Sequence, residues 1–389
     1  MTEIPATVAD VNKTWLTEVL KQSGRLSAEN SVVSFSRVSH GAGHGYASEI
    51  ERISVVYEHN ELGVPSSIIA KFPTNAEQTR ALATLFNLYS CEVMFYKELA
   101  PTANISAPEC YWADIDKETL TEKITSYIAN FLPEKFLLGM LDKLFERAST
   151  NSRRSVLLIE DLSSFRLGDQ VLGCNYTDAE SALRTLSKFQ STFWRLSFEN
   201  TAWIQGGADK CVLQHGLFMK ALPAFLKMFR EVIDEDLSKR IDWLKINGIK
   251  LLQSCNRHPT LIHGDFRLDN LFFRDDGSDP ILIDFQAVSK FNPMADVAYF
   301  LRPNLDDKTV GSELELVRSF WEGLNSNGVS DYTWEACQND YELAQWWLAH
   351  RGVIIIGLME FSHPRGQLLI ETAVRRGFRA GLSRPSIPW

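Results

Sequence analysis

The chain has 389 residues, 45% of them hydrophobic and 23% charged, and carries a net charge of −9. That length exceeds one ordinary core and fits two lobes of a globular protein. The acidic balance argues against a binder that works by neutralising nucleic-acid phosphates, a local basic patch aside; it reads either as solvated surface or as a match to a cationic substrate.

In chain order, the first residues lack a basic segment followed by an apolar core, so no secretory signal is expected and the protein is placed in the cytoplasm. Six scattered cysteines without a C-x-x-C pair read as free thiols. Asp10 to Gln22 sets Trp15, Leu16, Val19 and Leu20 on one helical face and stops at Gly24. From Ser31 the period becomes two: "SVVSFSRV" and "SEIERISVVY" predict adjacent antiparallel strands joined by "SHGAGHGY", with Gly41, Gly43 and Gly45 in the connection. "SSIIAKFP" is a third strand, Ala76 to Leu99 a long helix stopped by Pro101, and "APECYWADI" and "SVLLIEDL" two further strands. Between the last two, Lys117 to Arg154 carries one apolar stripe at Ile124, Ile128, Phe131 and Leu132 and another at Phe136 to Phe145. This predicts a helical hairpin, read as packing on the small lobe or as a lid or dimer contact.

After Glu160 the chain turns mainly helical, over Asp178 to Leu196, Leu217 to Leu252, Ser312 to Asn325 and Trp334 to Glu360. Its apolar run "VIIIGLM" is far too short to span a membrane. The expected class is α+β and two-lobed: residues 1–159 form a small antiparallel sheet lobe with one helix and the 117–154 insertion, and residues 160–389 form a larger helical lobe.

Inside the helical half lies "LIHGDFRLDNLFF", Leu261 to Phe273, followed by "ILIDFQ", Ile281 to Gln286. Two short apolar strands here enclose His263, Asp265 and Asn270, and a third ends on Asp284. Buried carboxylates and amides are costly unless something meets them. Two acids and an amide at strand ends form a hard oxygen set suited to Mg²⁺, which completes its shell with water and substrate phosphates. Other residues suit phosphoryl transfer. A glycine-rich connection lets backbone N–H groups approach phosphates, although such a hairpin is also an ordinary turn. Lys71, in an apolar strand, reads as an edge solubiliser or a phosphate ligand. Glu92 lies on a helix face where it could pair with Lys71. His263 reads as a brace for its loop, Asp296 as a helix cap or a tie for that loop, Asp269 as a solvated or capping neighbour of Asn270, and Trp346, Trp347 and Phe361 as core or acceptor-pocket aromatics.

With these residues in order, the sequence resembles the aminoglycoside phosphotransferase and choline kinase superfamily, which shares the protein-kinase-like fold. "HGDFRLDN" resembles its H-G-D-x-x-x-x-N loop, and "ILIDFQ", "EVMFYKELAP" and "VLLIEDL" are similar to the ecdysteroid kinase-like branch. The resemblance implies Asp265 as catalytic base, Asn270 and Asp284 as Mg²⁺ ligands, and Lys71 on the α- and β-phosphates of ATP, steadied by Glu92. It also implies adenine on the backbone of Glu160 and Leu162, with the glycine loop over the phosphates. The expected partner is a small-molecule hydroxyl acceptor: a bulky, choline-like, aminoglycoside-like or steroid-like alcohol. A silent pseudokinase scaffold is the alternative. "GAGHG" departs from G-x-G-x-x-G, Arg267 stands in the loop with an open role, and the short stretch from Asp284 to Asp296 leaves little room for the activation loop of a protein kinase. Oligomeric state is not encoded in any motif.

Overall fold

The computed structural model describes residues 3–39, 48–119, 134–151, 153–195, 201, 203–207, 209–231, 233, 235–359 and 363–377. The period-two segments form strands β1 (Val32–Ser39), β2 (Ser48–Tyr57), β3 (Ser67–Pro73), β4 (Cys110–Ile115) and β5 (Ser155–Glu160). They pair antiparallel in the order β1-β2-β3-β5-β4. Alternation along β3 assigns its two faces. Ile68, Ala70 and Phe72 pack on Trp15, Leu16, Val19 and Leu20 of helix α1 (Lys13–Gln22). Ile69 joins the central core on the opposite side, and Lys71 shares that face with it. Helix α1 starts where the Asn12 side chain accepts the Trp15 N–H at 3.0 Å and ends before Gly24 in the left-handed region.

The long helix expected over Ala76 to Leu99 is broken. Helix α2 (Glu77–Leu85) and helix α3 (Leu88–Met94) meet at Asn87, whose φ of +56° no helix continues through. Asn is the side chain best able to take that conformation, after Gly. A π-helical turn over Phe95–Leu99 follows, with Phe95 and Tyr96 buried. Of the hairpin expected in the insertion, the first stripe lies outside the described residues. The second is helix α4 (Glu134–Ser149).

The helical half contains α5 (Tyr176–Thr192), α6 (Cys211–Met228), α7 (Glu235–Ser254), α8 (Met294–Asn304), α9 (Glu313–Ser326), α10 (Trp334–Leu358) and α11 (Pro364–Gly377). The single run expected over Leu217 to Leu252 is therefore two helices. Leu141 and Leu144 of α4 belong to one apolar cluster with Leu82 of α2 and Leu217 and Phe225 of α6, so α4 touches both halves rather than the small lobe alone. Among the described residues no helix is long and apolar enough to cross a membrane. The short strands around the quoted motif fall into two small sheets. β7 (Thr260–Ile262) pairs with β10 (Ser289–Phe291), and β8 (Leu271–Phe273) lies between β6 (Arg166–Leu167) and β9 (Ile281–Leu282).

Candidate active site

His263 to Asn270 spans the gap between the two small sheets, and helix α8 holds it. The buried Asp296 carboxylate accepts the N–H of His263 at 2.7 Å and of Gly264 at 2.8 Å, and the Gln190 side chain at 3.1 Å. Burial pushes this carboxyl above its usual pKa, against the pull of His263 and of those hydrogen bonds. Asp296 thus ties the loop and does not cap its own helix. Gly264 is required here: its φ is +79°, and a Cβ would stand 2.2 Å from the Ala287 carbonyl oxygen. His263 is a brace, with Nε2 2.9 Å from the Ile283 carbonyl and Nδ1 accepting the Asp265 N–H at 3.3 Å. A carbonyl only accepts, so Nε2 carries the proton.

Three donors converge on Asp265. Tyr299, one turn after Asp296 on α8, donates its hydroxyl to Oδ1 at 2.9 Å. Asn270 Nδ2 reaches Oδ2 at 3.0 Å and the Asp265 carbonyl at 2.8 Å. Arg267 Nε approaches Oδ2 at 3.4 Å while its Nη1 donates to Asp269 at 3.0 Å. Burial works against the Arg267 charge, yet Asp265 and Asp269 hold its pKa above the ordinary arginine value. Asp269 is not the solvated neighbour the sequence suggested. It is 3% exposed and also accepts the Gln170 N–H at 2.9 Å and Arg365 of α11 at 3.2 Å. A buried arginine in the loop requires a buried acid, which Asp269 supplies.

Asp284 stands two residues past β9 with φ +69°. Its Oδ1 lies 2.8 Å from Lys71 Nζ, and Lys71 Nζ lies 2.5 Å from Glu92 Oε1. One ammonium therefore serves two carboxylates. Burial alone would lower the pKa of Lys71, but Asp284 and Glu92 raise it. Burial lifts Glu92 despite the attraction of Lys71, whereas Lys71 overcomes burial at Asp284 and holds that carboxyl low. Next along, Phe285 stacks on Phe95 at 3.7 Å and 11°. Glu92 and Phe95 sit three apart near the end of α3, so one stretch of chain positions both the ion pair and the residue beside Asp284.

Asp265, Asp284 and Tyr299 border a cavity of about 560 Å³ lined mainly by the helical half, with Leu82, Phe86, Leu88 and Cys91 from the first half, and the side chains of Phe225, Ile241 and Trp346 form part of its wall. Trp346 and Trp347 are both core and lining, at 2% and 4% exposure. Phe361 lies outside the described residues, as do Gly41, Gly43 and Gly45. Glu160 and Leu162 stand at the exit of β5; the Glu160 N–H is taken by the Glu109 carbonyl, and the Leu162 carbonyl by the Phe165 N–H. Sequence reasoning missed Tyr299, Arg351 and Lys210, all of which line the cavity.

Among the described residues no cluster of three or more His, Cys, Asp and Glu side chains has the arrangement of a metal site. The two-residue set suits magnesium nonetheless. Both Asn270 Nδ2 hydrogen bonds go to Asp265, which turns its amide oxygen away, and the second oxygen of Asp284 accepts from Gln286 at a long 3.3 Å. Hard oxygens of this kind leave most of the coordination shell to water and phosphates.

A sequence model of the ecdysteroid kinase-like family matches residues 42–326, which takes in Lys71, Glu92, the loop and Asp284. The chain belongs to the ecdysteroid kinase-like family. As a member of that family it has a two-lobed, kinase-like α+β fold. Solved structures with overall similarity include the GDP complex of a variant aminoglycoside 2'-phosphotransferase, at 13% identity, 94% of this chain, 95% of that chain and TM-score 0.47. They also include a macrolide 2'-phosphotransferase from Brachybacterium faecium, at 11% identity, 89% and 98% coverage and TM-score 0.43. A third is an ethanolamine kinase from Plasmodium vivax, at 10% identity, 87% and 82% coverage and TM-score 0.46. Comparison with curated protein sequences gives no match.

Proposed function

We propose that this ecdysteroid kinase-like chain is an ATP-dependent phosphotransferase that moves the γ-phosphoryl group to a hydroxyl of a small molecule seated in the 560 Å³ cavity. The observation that carries the reading is the convergence of an oriented carboxylate, Asp265, and a lysine-paired carboxylate, Asp284, on that one cavity.

Phosphoryl transfer asks the protein mainly for positioning and electrostatic stabilisation. Asp265 has three of its lone-pair directions filled by Tyr299, Asn270 and Arg267. A fourth is left to accept and orient an alcohol proton. Lys71, held by Glu92, is the cation for the nucleotide's phosphates, and Asn270 and Asp284 are the residues that would hold Mg²⁺. Bound MgATP supplies the phosphoryl group and the divalent charge that offsets its oxygens. The commitments of Glu160 N–H and the Leu162 carbonyl direct an adenine edge to the Glu160 carbonyl and the Leu162 N–H. In this reading residues 1–159 are the nucleotide lobe and 160–389 the catalytic and acceptor lobe. The apolar wall formed by Phe225, Ile241 and Trp346 supports a bulky apolar alcohol.

The test is Mg²⁺-dependent ADP formation across a panel of alcohols, with Asp265→Asn as control. Turnover with at least one acceptor, falling ~10²–10⁴-fold in the variant, supports the proposal. Wild type that binds nucleotide but never exceeds the variant's background with any acceptor would establish the pseudokinase alternative.

A further inference from the structure

The chain is acidic overall, yet its cavity is not. Six basic side chains line it against three acidic ones. Two of those carboxylates are already met, Asp284 by Lys71 and Asp265 by Arg267. Four of the bases are engaged as well: Arg267 holds Asp269, Arg302 holds Glu313 and Gln345, Arg375 holds Glu371, and Arg240 lies over the Trp346 ring at 5.1 Å. Two are different. Arg351 on α10 donates Nη2 to the Gly264 carbonyl at 3.1 Å and lies over the Trp347 ring at 5.4 Å, but its Nε is buried with no hydrogen-bond partner among the described residues. Lys210, 5% exposed, donates to the Leu85 carbonyl at 2.7 Å. Neither has a carboxylate within ion-pair distance among the described residues. Burial pulls the Lys210 ammonium down to about 8, against smaller upward pulls from Cys91, Glu118 and Asp209.

A buried guanidinium N–H left unpaired is costly, and so is an uncompensated ammonium beside apolar walls. Both costs are relieved if the missing partner arrives with the ligand. We propose that the acceptor is an apolar alcohol that also carries an anionic group, such as a carboxylate or sulfate, and that Arg351 receives that group, with Lys210 adding positive potential across the same cavity. This rests on the phosphotransferase reading and narrows its substrate class. It removes choline-like and aminoglycoside-like acceptors, whose ammonium groups would enter beside Arg351 as like charges. The acidic surplus of the whole chain is therefore no guide to its substrate, because it lies elsewhere on the molecule. Arg351 acts here as a specificity residue. The charge-assisted fork it offers is the strong kind of hydrogen bond, and its planar geometry suits a carboxylate.

The test is a binding titration of the full chain without nucleotide, read by calorimetry, using three ligands on one skeleton: cholate, its neutral primary amide, and the analogue ending in a primary amine. The expected order is carboxylate tightest, at least tenfold over the amide, with the amine weakest. Arg351→Gln should bring carboxylate and amide to within about twofold, Arg351→Lys should keep most of the preference, and Lys210→Gln should reduce it in part. The proposal is overturned if the amide or amine binds as well as the carboxylate, or if none of the three binds at millimolar concentration. It is also overturned if Arg351→Gln lowers MgATP turnover while leaving the ligand ratio unchanged, since Arg351 would then serve the phosphoryl group. Failure of the phosphotransferase reading appears separately, as absence of ADP formation, whatever these ratios are.

Discussion

Protonation of His350 should dominate the difference in stability between pH 7 and pH 5. This residue sits on α10 directly before Arg351, is 0% exposed, and has no hydrogen-bond partner at either ring nitrogen among the described residues. It stacks on Phe218 at 4.6 Å and lies 5.8 Å from His215, the titratable group that faces it from α6. Burial, with a smaller contribution from His215, pulls its pKa down from 6.5 to about 3. The unfolded chain therefore takes a proton below about 6.5 that the folded chain refuses until about 3, so stability falls as the pH drops through that window. Each pH unit inside the window is worth up to about 1.4 kcal/mol, and between pH 7 and pH 5 the loss from this one group comes to about 2 kcal/mol. His350→Phe keeps an aromatic ring in the stack and abolishes the titration. Urea unfolding of wild type and variant at pH 7 and pH 5 measures the effect, because carboxylates and other histidines are common to both proteins and cancel in the comparison. Wild type should lose about 2 kcal/mol more than His350→Phe on going to pH 5. Equal losses in the two proteins would show that His350 is protonated, or hydrated, in the folded state, and would refute the reasoning.

Gly264→Ala should slow turnover more than tenfold with nucleotide binding retained, since the new Cβ meets the Ala287 carbonyl at 2.2 Å and the backbone conformation alone costs ~1–2 kcal/mol; steady-state ADP release and a thermal melt check both. Asp296→Ala strands the N–H groups of His263 and Gly264 in the core, at ~1–3 kcal/mol each, and should lower the urea midpoint with an unchanged slope. Lys71→Met leaves Glu92 and Asp284 without their cation and should destabilise by ~3–5 kcal/mol near pH 7.5. Both carboxyls would then titrate above their unfolded values, so that variant should recover part of its deficit on acidification to pH 5.5, as seen by melts at the two pH values.

How much of this could be read in advance depended on how local the signal was. β2 was expected over the residues it occupies, because alternation is a nearest-neighbour property that burial on one face enforces. Lys71 read only as an edge solubiliser or a phosphate ligand within reach of Glu92; that it lies on the face opposite the α1 core, against both Glu92 and Asp284, is what the fold adds. The break at Asn87 was not expected, since apolar periodicity runs through it and only one backbone angle departs. Tyr299 was passed over because its role depends on Asp265, which stands 34 residues earlier, although Asp296 and Tyr299 at a spacing of three mark one helical face. The buried pairing of Arg267 with Asp269 was misread for a related reason: sequence gives charge, and only the packing of Gln170 and Arg365 around it gives desolvation. Helix α11, which supplies Arg365, was not anticipated at all, its polar residues masking a short apolar stripe of Leu369, Ile370 and Val374.

Helix α4 gives the molecule a splint. Kinase-like enzymes admit and release their ligands by swinging one half away from the other. In this chain a wide swing must peel Leu141 and Leu144 off either Leu82 or Phe225 and wet them, at ~1.5–3 kcal/mol for each leucine uncovered. Parting the two halves therefore carries the cost of that leucine surface, which α4 adds to the joint.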